Sequence, residues 1–390
     1  MIPGTRAGVW SACAGVLCSK ADALGALRRR SAIDPAARVS GPRTPTPPPM
    51  PRTRSPILPL AALLALGLAA ACQKGPAFGS DNAIIAVIDP DLDPTVEARV
   101  REALEREVYT TRSERVFEVT VTTPATIGDF RRWGRLVVIE SLAGAELVPD
   151  LVGDAEGEVF ARVEDEWARD QTIWVIAAPS PEATTELVEA RIDSVYRDLH
   201  EGWVDHQMER MWASGADSAS AERMLEELGF SLVVPEVYRP GTASAPPDTR
   251  TWYNEEPRRI VSLHWEPAAG GLSPERVLEA RRAWGRLLFD GDEIEGALPG
   301  DSVPDSLAPV DIPPLQASST TLGGLPAVRL QGTWRNPTDL TGGLFLTYGA
   351  ICGERLVLLD GNLYAPERAK YAYLLQFERI FETFRCEAGA

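Results

Sequence analysis

The chain has 390 residues with 56 acidic and 39 basic side chains, which gives a formal charge of −17 at neutral pH. Residues 1–71 carry nine Lys or Arg and two Asp or Glu, so the part from Cys72 onward has 30 basic and 54 acidic side chains and a charge of −24. This acidity argues against nucleic acid as a partner and against adhesion to anionic lipid through surface charge. The apolar content of 44% is sufficient for one large or two ordinary hydrophobic cores.

Residues 1–49 differ in composition from the rest of the chain. They are rich in Arg, Ala, Pro and Ser, and they end in the run TPTPPP. An export signal does not usually function behind so many polar and basic residues, and we therefore expect translation to begin at Met50. Cys13 and Cys18 are then absent from the mature protein. The composition is also compatible with a genuine disordered arm.

Residues 50–72 have the order of a bacterial lipoprotein signal. Arg52 and Arg54 precede an apolar run at 57–71, and the run ends in three alanines directly before Cys72. The arginines favour the cytoplasmic side, the run is too short for a comfortable membrane span, and small residues favour cleavage. We therefore expect lipid attachment to Cys72 as the new N-terminus.

The expected destination is the cell envelope outside the cytoplasm. Gln73 follows the cysteine, and the absence of Asp at this position favours the outer membrane, facing the periplasm. The membrane contact is then the lipid on Cys72. The alternative is a plain secretory signal that is cut near Ala71. A short Gly and Pro tether at 72–80 precedes the folded part.

Residues 81–215 are predicted to form a first α/β unit that includes a long helix. Periodicity indicates strands at 83–88, 116–122, 135–141 and 171–178. Asp93 and Pro94 form an N-cap and N1 pair for a helix that reaches about residue 107. From 181 to about 213, apolar residues recur at helical spacing, which predicts an amphipathic helix that joins the two units.

Residues 216–390 are predicted to form a second α+β unit. Strands are indicated at 230–235, 251–255, 259–265, 327–334, 344–352 and 354–363. Helices are indicated before Gly229, at 273–289 and at 366–385, and an exposed acidic loop is indicated at 290–314. The predicted class is α+β, with two α/β units whose mainly antiparallel sheets are flanked by helices.

A series of segments resembles a known family. They are GSDNAIIAVID, EREVY, WARDQTIWVIAAP, LGFSLVVPEVYRP, GGLFLTY and NLYAPERAKYAYLLQFERIF. Behind a lipoprotein signal, this order resembles the domain of unknown function 4837 family of bacterial envelope lipoproteins, over nearly all of the chain after Cys72. The resemblance implies no activity and no catalytic residues. In the second unit, FSLVVP, GLPAVRLQGTW, the hairpin and the last helix resemble, more faintly, the PsbP-type α/β/α fold, which implies a binding or assembly role.

Two histidines on the predicted long helix are candidate metal ligands. His200 and His206 lie near Asp198, Asp205 and Glu209. A spacing of six residues places the two imidazoles about 240° apart, so they do not share a helix face. His206 and Glu209 do share a face, but two ligands are too few. We interpret both histidines as surface residues and expect no metal site.

Other candidate sites have simpler interpretations. His264 lies beside Trp265 in a predicted strand, without a recognisable catalytic partner. Gly342 and Gly343 precede a strand and not a helix, which favours a turn or bulge over a phosphate loop. The acidic segment 290–305 lacks the pattern of an EF-hand, which favours a solvated loop over a calcium site. No GxSxG, HExxH, CxxC or GxxxxGK[ST] motif occurs, so we expect no catalytic residue and no cofactor.

Three functional classes remain open. The first is a non-enzymatic envelope lipoprotein that binds a protein partner or assists assembly. The second is a small-ligand or glycan binder, for which the eight tryptophans between Trp167 and Trp334 would line a cleft between the units instead of filling the cores. The third is an enzyme, such as a hydrolase, whose acidic site the sequence order hides.

Cys352 and Cys386 are the only cysteines left when Cys72 carries lipid and residues 1–49 are discounted. An exported chain meets an oxidising compartment in many bacteria, and an even pair of cysteines there predicts a disulfide. Cys352 ends a predicted strand and Cys386 follows the last helix, so the bond would join that helix to the sheet. The alternative is two independent half-buried thiols.

Overall fold

The computed structural model describes residues 74–241, 246–289, 291–299 and 314–387. The predicted start at Met50, the signal, Cys72 and Gln73 lie outside the described residues. The same holds for residues 290 and 300–313 of the predicted acidic loop.

The first unit is built on a five-stranded sheet with the strand order β4-β1-β5-β7-β6. The first four of these strands are parallel to one another, and β6 is antiparallel to β7. Their bounds are β1 Ala83–Ile88, β4 Glu118–Thr122, β5 Arg135–Ser141, β6 Val159–Glu164 and β7 Thr172–Ala178. All of β1 is buried, as expected for a parallel strand whose sheet is covered on both faces.

Helices cover both faces of this sheet. One face packs against α1 (Thr95–Leu104) and α3 (Pro181–Trp212), and the other against the short α2 (Val148–Val152). A small hairpin of β2 (Glu107–Tyr109) and β3 (Ser113–Arg115) follows α1.

The long helix α3 joins the two units, as predicted. It begins where the Ser180 hydroxyl accepts a hydrogen bond from the Ala183 amide, with Pro181 at the first helical position. Its 32 residues extend over about 48 Å. Leu187 and Ile192 belong to the first core, whereas Met211 near its end belongs to the core of the second unit.

The second unit contains an eight-stranded antiparallel sheet. Its path is β12-β14-β15-β16-β11-β10-β9, and β13 pairs with β14 beside β12. The bounds are β9 Arg239–Pro240, β10 Thr249–Glu255, β11 Arg258–Pro267, β12 Glu293–Ile294, β13 Gln316–Leu322, β14 Leu325–Asn336, β15 Thr341–Cys352 and β16 Arg355–Tyr364.

Helices lie on both faces of the second sheet as well. α5 (Pro274–Leu288) packs on one face, and α6 (Tyr371–Phe381) packs on the other. The remaining elements are α4 (Ser218–Leu228) and a pair of two-residue strands, β8 (Phe230–Ser231) and β17 (Arg385–Cys386). No helix in the described part of the chain has both the length and the apolar character needed to cross a membrane.

The α+β class, with sheets flanked by helices, is confirmed, and the large sheet of the second unit is antiparallel as predicted. The structure adds the parallel pairing of the first sheet and the strands β6 and β13. Two predicted elements are shorter than expected: the strand at 230–235 is reduced to β8, and the helix at 366–385 is reduced to α6. The segment before α6 forms turns instead, which is consistent with the exclusion of Pro366 from a helix interior.

Cys352 and Cys386 form a disulfide, and their Cα atoms are 5.9 Å apart. Cys352 ends β15, and Cys386 lies in β17, which pairs with β8. The bond therefore links the segment after α6 to the eight-stranded sheet of the second unit.

Removal of this bond should destabilise the second unit. The bond closes a segment of 34 residues, and the chain-entropy estimate for such a loop is roughly 4 kcal/mol. The Cys352→Ala/Cys386→Ala variant should therefore lose about this free energy of unfolding in a denaturant titration. Alkylation of the wild-type protein without reductant should give an intact mass without modified thiols from this pair. Two alkylated thiols at these positions would contradict the bond.

A buried carboxylate connects the two units. Glu114 of β3 accepts hydrogen bonds from the backbone amides of Lys370 and Tyr371, at 2.6 and 3.2 Å, and so caps the N-terminus of α6. The Lys370 ammonium lies 3.8 Å from the same carboxylate, and both side chains are buried. Burial lowers the pKa of Lys370, and the charge of Glu114 opposes this shift. The helix on the second sheet is thus fixed by a residue of the first unit.

Glu114→Ala should therefore destabilise the protein more than an ordinary surface substitution. It removes the cap of α6 and leaves Lys370 buried without its carboxylate, and breaking such a pair costs about 3–5 kcal/mol. The matched control is Glu118→Ala, on the exposed side of the adjacent β4, which should change the free energy of unfolding by about 0.5 kcal/mol or less. Equal denaturation midpoints for the two variants would refute this role.

Candidate functional site

A pocket opens on the face of the second sheet that carries α5. Its volume is about 560 Å³, and it lies beyond the C-terminal end of α5. The strands β10, β11, β14, β15 and β16 contribute its floor, and 287–289 form a wall. We call it the sheet-face pocket. The lining includes Arg258, Phe289, Asp292, Trp334, Asn336 and Asn362.

The strand register explains why the pocket is polar. Ser262, Asp360 and Thr347 stand opposite one another on β11, β16 and β15. Ile260 and Asn362 form the next row along the same face and border the pocket. Because side chains alternate between faces of a strand, Asp360 and Asn362 must point to the same side.

A buried ion pair holds α5 against this floor. The Arg281 Nε of α5 lies 2.7 Å from Asp360 Oδ1, and the Thr347 hydroxyl donates to the same oxygen at 2.5 Å. Both charged side chains are almost fully buried. The guanidinium also lies over the rings of Phe289 and Phe345, at 5.1 and 5.3 Å. The position of the pocket wall is therefore determined by this pair.

Asn362, which borders the pocket floor, has a buried amide nitrogen without a hydrogen-bond partner among the described residues. The residue is 4% exposed. Ser262 Oγ and Asp360 Oδ2, one row deeper, are also buried without a partner in this part of the structure. An unsatisfied buried donor costs about 1–3 kcal/mol, which makes such a group a strong indication of a ligand position.

The charged groups around the pocket are mostly acidic. The lining contains one cationic residue, Arg258, and three acidic residues, Glu255, Asp292 and Asp339. Burial raises the pKa of Asp292, while the hydrogen bond from Asn336 Nδ2, at 2.9 Å, and the charges of nearby arginines oppose the shift. The excess of carboxylates disfavours phosphate and other anions in this pocket.

Aromatic and aliphatic surfaces complete the lining. Trp334 donates its indole N–H to the Leu344 carbonyl at 3.2 Å and packs near Tyr364, with ring centroids 6.5 Å apart. The rim carries Leu287, which is 77% exposed, and Leu340, which is 89% exposed, follows Asp339 of the lining. The lining therefore contains aromatic side chains as well as hydrogen-bonding groups.

The interpretation of both helix histidines as surface residues is wrong for His200. Its ring stacks between Tyr196 and Tyr371, and its Nε2 lies 3.1 Å from the Tyr371 hydroxyl. Burial lowers the pKa of His200, and the charge of Arg106 acts in the same direction. The residue is part of the contact between α3 and α6, which the sequence did not reveal because α6 is distant in the chain.

His206 is exposed and borders a second pocket of about 670 Å³ at the start of the first sheet. Carboxylates there, among them Asp198 and Glu209, are mixed with Arg135 and Arg162. Within the described residues, no group of three or more His, Cys, Asp or Glu side chains is placed to hold a metal ion. His264 lies buried in β11, and its Nδ1 is 2.8 Å from the Asp248 carbonyl oxygen.

The eight tryptophans do not gather in a cleft between the units. Five are buried: Trp203, Trp252, Trp265, Trp284 and Trp334. Trp334 alone of the eight borders the sheet-face pocket. The interpretation of most of these tryptophans as core residues is therefore correct, and they do not form the aromatic cleft of the second functional class.

Gly342 and Gly343 lie within β15, opposite Arg335 and Trp334 of β14, and so do not form a phosphate loop. A Cβ at Gly343 would meet the Leu363 carbonyl and the Trp334 indole nitrogen. The glycine thus permits the close approach of Trp334. In the acidic loop, Glu293 and Ile294 form the short strand β12.

Sequence reasoning missed the pocket residues because they come from separate elements. One signal could have indicated them. In RLVLLDGNLY of β16, Asp360 and Asn362 are polar residues at alternate positions of an otherwise apolar strand. Two polar side chains on one buried face indicate a partner or a ligand on that face.

Comparison with known families divides the chain in two. Residues 217–383 match the family described as Domain of unknown function (DUF4837), which confirms the resemblance inferred from the sequence. Residues 77–212 match a different one, Domain of unknown function (DUF8532). The resemblance to the first family therefore applies to the second unit and not to nearly the whole chain.

Similar solved structures include cyanobacterial PsbP (CyanoP) from Synechocystis sp. PCC 6803, at 11% identity over 40% of this chain and 86% of that chain, with a TM-score of 0.26. A protein from Bacteroides thetaiotaomicron VPI-5482 has 9% identity over 40% of this chain and 45% of that chain, with a TM-score of 0.24. LpqN of Mycobacterium tuberculosis, described as involved in cell envelope biogenesis, has 14% identity over 40% and 83%, with a TM-score of 0.22. No curated protein matches the sequence. At these TM-scores, the likenesses carry no functional argument.

Proposed function

We propose that the protein is a non-enzymatic binding module. Its second unit, which matches DUF4837, would bind a small, neutral, hydroxyl-rich ligand such as a sugar in the sheet-face pocket. The observation that carries this proposal is the buried amide of Asn362, a residue that borders the pocket and whose Nδ2 has no hydrogen-bond partner among the described residues. A ligand oxygen would satisfy this donor. The energetic gain is greatest in a buried position, because water does not compete there.

The mixture of lining groups supports a hydroxylated ligand. A hydroxyl both donates and accepts, so it can pair with the Asn362 amide and with the carboxylates of Asp292 or Asp339. The half-buried ring of Tyr364, which packs near the buried Trp334, suits the apolar side of a sugar ring. The acidic excess disfavours phosphorylated and carboxylated ligands.

The rim of the pocket supports a second candidate, an envelope protein partner. Leu287 and Leu340 are exposed large apolar side chains, and a protein that covers the pocket would bury them. Loss of partner binding in a Leu287→Ser/Leu340→Ser variant, without loss of sugar binding, would separate this candidate from the first.

We also propose that the chain acts at the cell envelope, anchored by lipid on Cys72 and facing the periplasm at the outer membrane. The order of arginines, apolar run, alanines and cysteine at 50–72 supports this placement. The disulfide between Cys352 and Cys386 is compatible with an oxidising compartment.

The ligand prediction is tested with Asn362→Leu. This substitution keeps a similar volume but removes the donor, so it should weaken binding at least tenfold while leaving the melting temperature unchanged or higher. An oligosaccharide array with neutral, amino, phosphorylated and sialylated members identifies the tightest neutral binder, and calorimetric titration measures its affinity.

The control for this experiment is Asn254→Leu, on β10 but outside the lining, which should bind like the wild type. The proposal fails if no neutral oligosaccharide binds. It also fails if the Asn362 variant retains wild-type affinity.

The anchor prediction concerns Cys72. Cys72→Ser removes the thiol that carries lipid, so the chain should become soluble or remain unprocessed in cell fractionation. The Cys352→Ser/Cys386→Ser variant removes two other thiols without altering the signal, and it should remain with membranes. A processed Cys72→Ser chain that still fractionates with membranes would rule out the lipid anchor.

A further inference from the structure

The first described residues are fixed on the first unit. The Ala77 amide donates to the Arg169 carbonyl at 2.7 Å, and the Phe78 amide donates to the Arg132 carbonyl at 3.0 Å. In return, the amide of Gly134 donates to the Phe78 carbonyl at 3.1 Å. The chain therefore enters the fold at a defined surface.

This surface carries exposed aromatic and basic side chains. Phe78 is 46% exposed, and its ring centroid lies 6.2 Å from that of Trp133. The guanidinium of Arg132 lies over the Phe78 ring at 5.6 Å, and that of Arg131 lies over Trp167 at 5.4 Å. Amphipathic aromatic rings and long cationic side chains are the groups that favour the interface between lipid headgroups and water.

The charge of this surface differs from that of the protein as a whole. Four exposed cations lie on it, Lys74, Arg131, Arg132 and Arg169, and the nearby anions are Asp129, Asp165, Glu166 and Asp170. These four cations and four anions cancel, and the pocket that Phe78 also borders adds Asp81, Glu164, Asp198 and Glu209 against Arg135 and Arg162. The surface is therefore only weakly acidic, whereas the chain from Cys72 onward has a charge of −24. A membrane with anionic lipid repels this surface less than the acidic remainder.

The position of the expected lipid anchor indicates that the membrane is what covers this surface. Cys72 precedes Lys74 by two residues, which span at most about 7 Å of extended chain. We propose that the surface formed by Lys74, Phe78, Arg131, Arg132, Trp133 and Arg169, here called the anchor face, lies against the lipid headgroups. This proposal rests on the lipid anchor at Cys72. Because the entering segment is hydrogen-bonded to the fold, the anchor then sets the orientation of the first unit.

The test compares two cysteine probes of equal exposure. Phe78→Cys lies on the anchor face, and Val237→Cys lies in the second unit at 45% exposure against 46% for Phe78. The lipidated full chain is placed on vesicles of phosphatidylcholine and phosphatidylglycerol, and labelling by a membrane-impermeant maleimide is timed. Labelling at Phe78→Cys should slow at least tenfold relative to the same substitution in a Cys72→Ser chain without lipid, and Val237→Cys should label at the same rate in both.

Two further arms keep the outcomes separate. Lys74→Cys probes the same face at an already polar, exposed position, so its protection does not depend on loss of the Phe78 ring. Vesicle flotation reports the lipid anchor itself. Equal labelling at all three positions on floated vesicles would overturn the orientation while leaving the anchor intact. A chain that does not float overturns both.

Discussion

The Arg281–Asp360 pair is the interaction on which the candidate site depends. Two charges removed from water lose several kcal/mol each in solvation, and only close, well-directed contacts offset that loss. Here Asp360 accepts from Arg281 and Thr347, while rings flank the guanidinium. Since Arg281 belongs to α5 and Asp360 to β16, their contact fixes where the helix crosses the sheet. The floor left uncovered beyond the end of α5 is the sheet-face pocket.

The fold was largely predictable where the pattern of apolar residues was unambiguous. The helix α3 and the strands β14, β15 and β16 have strong periodicity or long apolar runs, and the structure places them at nearly the expected residues. The direction of strands in the first sheet was not predictable, because a strand buried on both faces is an apolar run in either direction. The strand β13, QASSTTL, was missed since an edge strand with one partner needs few apolar residues.

The candidate site was much less predictable than the fold. Arg258, Asp292, Asn336 and Asn362 come from four parts of the second unit, and no spacing in the sequence connects them. Their proximity results from the register of antiparallel strands, which a motif search does not examine. The histidines illustrate the same limit, because the neighbour of His200 across the unit contact is Tyr371, 171 positions away.

The contact between the units also supports the sheet-face pocket, from the opposite face of the second sheet. Gly361 lies between Asp360 and Asn362 on β16, and a Cβ at this position would clash with the Phe377 ring of α6. The glycine lets α6 approach the back of the strand whose front carries the pocket floor. Glu114 of the first unit caps α6, so the floor is held by α5 in front and by α6 behind. A floor fixed from both sides keeps the Asn362 donor in place before a ligand arrives, which lowers the ordering cost of binding. This gives a physical reason for the two units to remain joined.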